Sequence, residues 1–137
     1  MSATTGFNET AADFAIDGII AGGADVRLMT TALAYGDGAT ELDSKEVSDA
    51  SYTSVTVAEA DWTVSVDATT NTTTLENATE VDFGTAGGDW GVVVEVAIHQ
   101  AGTDRFVIAD ETNDPDITEG EEVSFAAGEL TYTLGDA

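Results

Sequence analysis

The sequence predicts an all-β protein, a jelly-roll-like antiparallel β-sandwich of about eight short strands with one short N-terminal helix. Three observations predict it. Short segments rich in Val, Thr, Phe, Tyr and Trp recur along the chain, Gly, Asp and Asn clusters separate them, and the single Pro and the lack of helical patterns between strands argue against βαβ units. The 137 residues suit a single domain, 1–137, large enough to bury a core, with the helix at about 9–21 and the sandwich at about 25–135.

The helix differs in kind from the strands after it. Thr10 with Asp13 resembles a capping box, Ala12, Phe14, Ile16, Ile19 and Ile20 fall at near-helical spacing, and Gly22-Gly23 is a stop signal. The predicted strands are VRLMTTALA, YTSVTV, WTVSV, TTTLENATEVDF, WGVVVEVAIH, RFVIA, EVSFA and LTYTL. Alternation is clean in several. Trp62, Val64 and Val66 oppose Thr63, Ser65 and Asp67, and Leu130, Tyr132 and Leu134 oppose Thr131 and Thr133, so each strand offers one face to a core. In the longest apolar run, Val92, Val94, Val96 and Ile98 share one face, while Val93, Glu95, Ala97 and His99 share the other.

Certain glycines and aromatics read as turns and anchors. Gly87 and Gly88 suit a tight turn with positive φ, Trp90 anchors the strand after that turn, and Gly91 leaves space beside its indole. Trp62, Phe125 and Leu130 belong to the expected core, with Gly120 and Gly128 punctuating the last strands.

The charge balance excludes several functions. Twenty-seven Asp and Glu face three Lys and Arg, a net charge of −24, so neither nucleic acid nor an anionic membrane finds the clustered cations it needs. Such repulsion is best tolerated where salt shortens the Debye length from about 8 Å to about 3 Å, and we read the chain as halophilic. No apolar run reaches the length of a membrane span and no basic region precedes an apolar one at the start, so a soluble protein without a signal peptide is expected. With no cysteine there is neither a disulfide framework nor a thiolate site. Asn8, Asn71 and Asn77 each match the N-glycosylation pattern, which a Thr-rich chain produces readily.

Candidate chemistry is sparse. His99, the sole histidine, stands four residues from Glu95, roughly 13 Å along a strand. No nucleophile elbow, phosphate loop or two-histidine metal helix is present. His99 is therefore expected to be a polar strand-end or subunit-contact residue, and the protein not to be an enzyme. In the loop DETNDPD, Asp110, Asn113, Asp114 and Asp116 offer oxygen ligands for calcium or magnesium, and Asp37 does so in YGDGATELD. Neither loop has EF-hand spacing. The expectation is hydrated loops that hold Ca, Mg or K ions loosely, with no other cofactor.

Together, VRLMTTAL, EVSDASYTSVTV, Trp62, TAGGDWGVVVEVAIHQAG and GEEVSFAAGELTYTL resemble a family of small virion proteins from tailed phages and tailed archaeal viruses, labelled tail fibre, head fibre or capsid decoration. The chain departs from the family pattern at Ser54, where Arg is frequent, and at Gly102-Thr103-Asp104, where Gly-Gly is frequent. The resemblance implies a virion structural protein, expected as a capsid decoration or turret component assembled in the cytoplasm of a high-salt-adapted host. Its partners would be copies of itself, a trimer before a pentamer, and the major capsid protein. A tail fibre or baseplate component is the alternative within the class. A cell-surface or carbohydrate-binding module is the alternative outside it, to be distinguished by exposed aromatics lining a groove, with Tyr35, Tyr52 and Tyr132 the tyrosines available.

Overall fold

The computed structural model describes residues 8–111 and 113–135, the side chains of 110, 111 and 135 excepted. Helix α1 spans Glu9–Ile20. Its N-cap falls two residues before the expected Thr10. Asn8 is the cap, its Oδ1 accepting from the Ala11 amide at 2.9 Å, which places Thr10 inside the first turn and Glu9 at the positive end of the dipole. Ala12, Ile16, Ile19 and Ile20 form the buried stripe. Gly22 and Gly23, with φ of 76° and 97°, turn the chain where an L side chain would be strained.

Eleven strands follow among the described residues. They are β1 Ala24–Met29, β2 Val55–Val57, β3 Trp62–Asp67, β4 Thr72–Asn77, β5 Val81–Thr85, β6 Gly91–Val92, β7 Glu95–His99, β8 Phe106–Glu111, β9 Asp116–Ile117, β10 Glu122–Phe125 and β11 Thr131–Gly135. A second helix, α2, spans Ala39–Lys45. All strand pairs are antiparallel, in sheets ordered β2-β1-β7-β8, β11-β4-β3, β10-β5 and β6-β9. The antiparallel sandwich thus stands, its strands divided among four sheets.

The additional elements have physical causes. β1 ends at Met29 because the Thr30 amide turns to the Lys45 carbonyl at 2.8 Å, so TTALA leaves the sheet. α2 carries one buried side chain, Leu42, too few for a helical period to register. TTTLENATEVDF divides into β4 and β5, which belong to different sheets. WGVVVEVAIH also breaks. Val92 is 42% exposed and Val93 only 2%, so the side-chain phase shifts before β7, on which Glu95 through His99 are all buried. The acidic loop itself contributes β9, which pairs with β6.

β7 is buried on both sides because the four-stranded sheet is covered twice. Ala24, Val26, Leu28, Val96 and Ile98 face the main core, which they share with Ile16, Ile19, Trp62, Leu75, Val81, Trp90, Ile117 and Leu130. Met29, Ala97 and Leu42 form a smaller cluster outside the sheet, joined by Leu33 and Phe106, with α2 as part of its cover. α1 closes the sandwich by touching β3, β4, β11 and β7.

Asn77, a glycosylation match in the sequence, is an internal clamp. Its Nδ2 donates to the carbonyls of Thr79 at 2.8 Å and Ala126 at 2.9 Å, and its Oδ1 accepts from the Leu130 amide at 3.0 Å. With 1% exposure and both amide hydrogens engaged, it offers nothing to a glycosyl donor in the folded chain. Asn77→Ala would strand a buried amide and two carbonyls. A loss of about 2–4 kcal/mol is expected, read by urea unfolding in molar NaCl.

Candidate functional site

The outer face of the four-stranded sheet carries Asp25, Arg27 and Met29 from β1 beside His99, Ala97 and Glu95 from β7. Arg27 is the centre of charge there. Its Nη1 lies 2.9 Å from Asp43 Oδ1 and 2.9 Å from Glu46 Oε1, and its Nη2 lies 4.0 Å from Asp25 Oδ2. Burial lowers the guanidinium pKa, but the carboxylates of Glu46, Asp43 and Asp25 more than offset this and hold it above its ordinary value. Glu46 moves upward too. Burial of its carboxylate outweighs the Tyr52 hydroxyl and the Arg27 guanidinium, which is shared among three acids. The second cation, Lys45, lies 2.6 Å from Asp37 Oδ2. That contact and the Ala34 amide hold the Asp37 carboxyl below the usual range, so the candidate metal ligand already has an ammonium partner.

Tyr52 joins this network to the core. Its hydroxyl donates to Glu46 Oε2 at 2.6 Å and accepts from the Leu28 amide at 2.9 Å. Burial, then the bond to Glu46, pushes the phenol pKa far up. The ring stacks on Phe83 at 5.9 Å and meets Trp90 edge-on at 5.2 Å, and Phe83 meets Phe125 edge-on at 6.3 Å. Ser51, the preceding residue, accepts from Trp90 Nε1 at 2.9 Å and the Gly87 amide at 3.1 Å, and donates to Asp49 Oδ1 at 2.6 Å. Hydrogen bonds from the Ser51 side chain and amide hold the Asp49 carboxyl below its ordinary value.

This contact corrects the expected role of the glycines. Gly87 and Gly88 do not adopt positive φ. They are needed for close approach, since a Cβ on Gly87 would stand 2.9 Å from Ser51 Cβ and one on Gly88 2.7 Å from Asp49 Oδ2. Gly91 is the reverse case. No atom crowds it, and its φ of 87° is what requires glycine. Gly128 likewise has φ 83°, at the turn clamped by Asn77.

The remaining predicted residues are dispersed. Trp90, Trp62 and Leu130 are buried in the core and Phe125 packs against it. His99 ends β7 with 2% exposure, its Nε2 2.7 Å from the Thr103 carbonyl, so it is a strand-end residue turned inward. Glu95 shares that face, but its Oε1 accepts from the Leu33 amide at 2.6 Å, fastening the 30–37 segment to the sheet. Asn113, Asp114 and Asp116 are exposed; the Asp110 side chain lies outside the described residues. Among the described residues no three His, Cys, Asp or Glu converge on a point that could hold a metal ion. The charge network at Arg27 escaped sequence reasoning, although its partners Glu46 and Tyr52 mark the segment EVSDASY that carried the family resemblance.

Two of the three tyrosines meet at one groove. Tyr35, fully exposed, and Tyr132 line a depression of about 600 Å³ together with Phe106, Asp104 and Arg105.

Fold and contacts together define an acidic antiparallel sandwich in which polar side chains fasten loops onto sheets. The chain belongs to the podophage GP4 fiber I protein gp80 family, whose model matches residues 21–133, from the end of α1 into β11, and it is thus a phage fibre-type protein. No curated protein and no solved structure matches it.

The network makes two outcomes testable. Trp90→Ala should cost about 3–5 kcal/mol in urea unfolding, because it empties a core position and leaves Ser51 without its indole donor. For Glu46, a raised folded pKa means that the folded chain holds this proton more tightly than the unfolded chain. Its contribution is complete below about pH 4.3 and declines as pH rises from there through the folded value. Glu46→Gln should flatten that decline in the thermal midpoint against pH, and an unchanged slope would contradict the assignment.

Proposed function

We propose that the protein is a structural component of a virus particle, a capsid-surface decoration or turret of a tailed virus whose host lives in high salt, and that it acts by assembly and not by turnover. The observation that carries this reading is the family match over residues 21–133. The charge distribution supports it. Two of the three cations, Arg27 and Lys45, are bound to carboxylates within the chain, which leaves little to engage nucleic acid or an anionic membrane. The strands that end the hydrogen-bonding order, β2 of the four-stranded sheet and β3 of the three-stranded one, support contacts with further subunits, because strand edges invite pairing, whereas β8 and β11 lie close to one another. Copies arranged about a particle symmetry axis, three before five, would cover the β2 and β3 edges, with the major capsid protein beneath. Cations held loosely at Asn113, Asp114 and Asp116 would ease repulsion between such copies. The word fiber in the family description favours a second reading, a tail fibre or baseplate component.

Image reconstruction of the virion with antibody-labelled protein tests the placement. Density at capsid symmetry axes is expected, and density confined to the tail would transfer the protein to the second reading. The salt requirement has its own test. With net charge −24, lowering NaCl from about 1 M to about 0.1 M lengthens the Debye length from about 3 Å to about 10 Å, so the thermal midpoint should fall. A constant midpoint would remove the high-salt host from the proposal.

A further inference from the structure

The groove beside β8 holds two side chains, Tyr35 and Arg105, that neither the core nor an ion pair accounts for. Tyr35 stands on its lip with its ring wholly in water, and the half-buried Phe106 and Tyr132 line it. Leaving a large ring in water forgoes a sizeable gain from burial, and among the described residues nothing covers this one. Asp104 and Arg105 stand at the same groove. Asp104 Oδ1 accepts from the Ala39 amide at 2.9 Å, and Arg105 Nη1 donates to Gln100 Oε1 at 3.3 Å. Among the described residues Arg105 is the one Lys or Arg in no ion pair, in a chain where acids outnumber such cations 27 to 3.

We infer that this groove binds a neutral oligosaccharide. The chemistry of its rim selects among ligands. An anionic ligand would gain Arg105 but meet Asp104, Asp37 and the field of a strongly negative protein. A cationic ligand would gain the carboxylates and meet the unpaired guanidinium. Hydroxyl groups both donate and accept, so a sugar satisfies the Arg105 donors and the Asp104 acceptor together, without bringing charge. The C–H face of a sugar ring, in turn, matches the apolar surface that Tyr35, Phe106 and Tyr132 present. Exposed aromatics lining a groove are the feature that distinguishes a carbohydrate-binding module from a purely structural sandwich. The inference does not depend on where in a particle the protein sits.

The test is saturation-transfer NMR on the full chain in molar NaCl, with maltotriose, cellotriose and mannotriose as neutral probes and an oligogalacturonate as the anionic one. Transfer to the ring protons of at least one neutral trisaccharide is expected. Tyr35→Ala and Arg105→Ala should each weaken that binding about tenfold, Tyr35→Phe should retain it, and all three variants should keep the parent thermal midpoint, since both side chains are exposed. No transfer to any neutral trisaccharide would overturn the inference, as would preference for the oligogalacturonate or binding indifferent to Tyr35→Ala. Loss of self-association in Tyr35→Ala without sugar binding by the parent would overturn it in favour of a second copy as occupant. Any of these failures leaves the placement of the protein in the virion to be decided by image reconstruction.

Discussion

The hydroxyl of Tyr52 is the joint on which the rest of the sandwich depends. It accepts from the Leu28 amide on β1 and donates to Glu46, and Glu46 in turn grips Arg27. One side chain therefore ties the segment after α2 to the sheet it crosses. Because the ring of Tyr52 also packs on Phe83 and Trp90, the same residue couples the polar network outside the four-stranded sheet to the main core. Its neighbour Ser51 completes the joint by receiving the Trp90 indole and the Gly87 amide, which holds Gly87 to Trp90 against the 49–52 turn.

This arrangement explains how a sheet buried on both faces keeps polar residues at its centre. Buried polar groups are tolerated when each finds a partner, and here the partners are mostly backbone groups of the covering loops. Glu95 receives the Leu33 amide, His99 meets the Thr103 carbonyl, and Asn77 plays the same part between β4 and the turn before β11. Since a carbonyl can only accept, the His99 ring must carry hydrogen on Nε2. Among the described residues three buried side-chain atoms are exceptions with no partner, His99 Nδ1, Arg27 Nε and Asp13 Oδ1. Polar side chains in this chain thus fasten loops, each through at least one bond to the backbone of the segment it holds.

Legibility in the sequence tracked the length and regularity of each element. α1, β3 and β11 carry full periods of alternation or helical spacing, and each lies where its pattern places it. The misreadings fall where one element ends and another begins without a strong punctuating residue. Val93 and Val94 continue an apolar run, so the phase shift between β6 and β7 is invisible to a two-residue period, and the split of β4 from β5 is hidden because Ala78 and Thr79 suit a strand. α2 rests on Leu42 alone. The glycine errors are instructive in another way. Gly87 and Gly91 look alike in sequence, yet one is required by a neighbouring serine and the other by its own backbone angle, and the first cause exists only once Ser51 is brought across from a distant segment. The groove was half legible. Its tyrosines were named, but only the fold brings Tyr35 and Tyr132 to one depression and sends Tyr52 into the core.

The placement of the three cations ties stability to surface. The carboxylate of Glu46 is held on the sheet by a cation committed to it, and Arg27 serves Glu46, Asp43 and Asp25 at once. Lys45, at the end of α2, holds Asp37 and with it the loop whose next turn bears Tyr35. The contacts of Arg27 with Asp43 and Glu46 therefore fasten the covering segment, residues 30–52, onto the outer face of the four-stranded sheet, and the Lys45–Asp37 pair braces that segment internally. That segment is what sets the lip of the groove opposite β8. Arg105 is then the remaining positive charge, and it stands at that groove. The cations of this chain are thus used first to fix the cover and then to mark the depression the cover creates, so that the features stabilising the fold also shape a surface where aromatic rings, a carboxylate and a guanidinium outside the ion pairs meet.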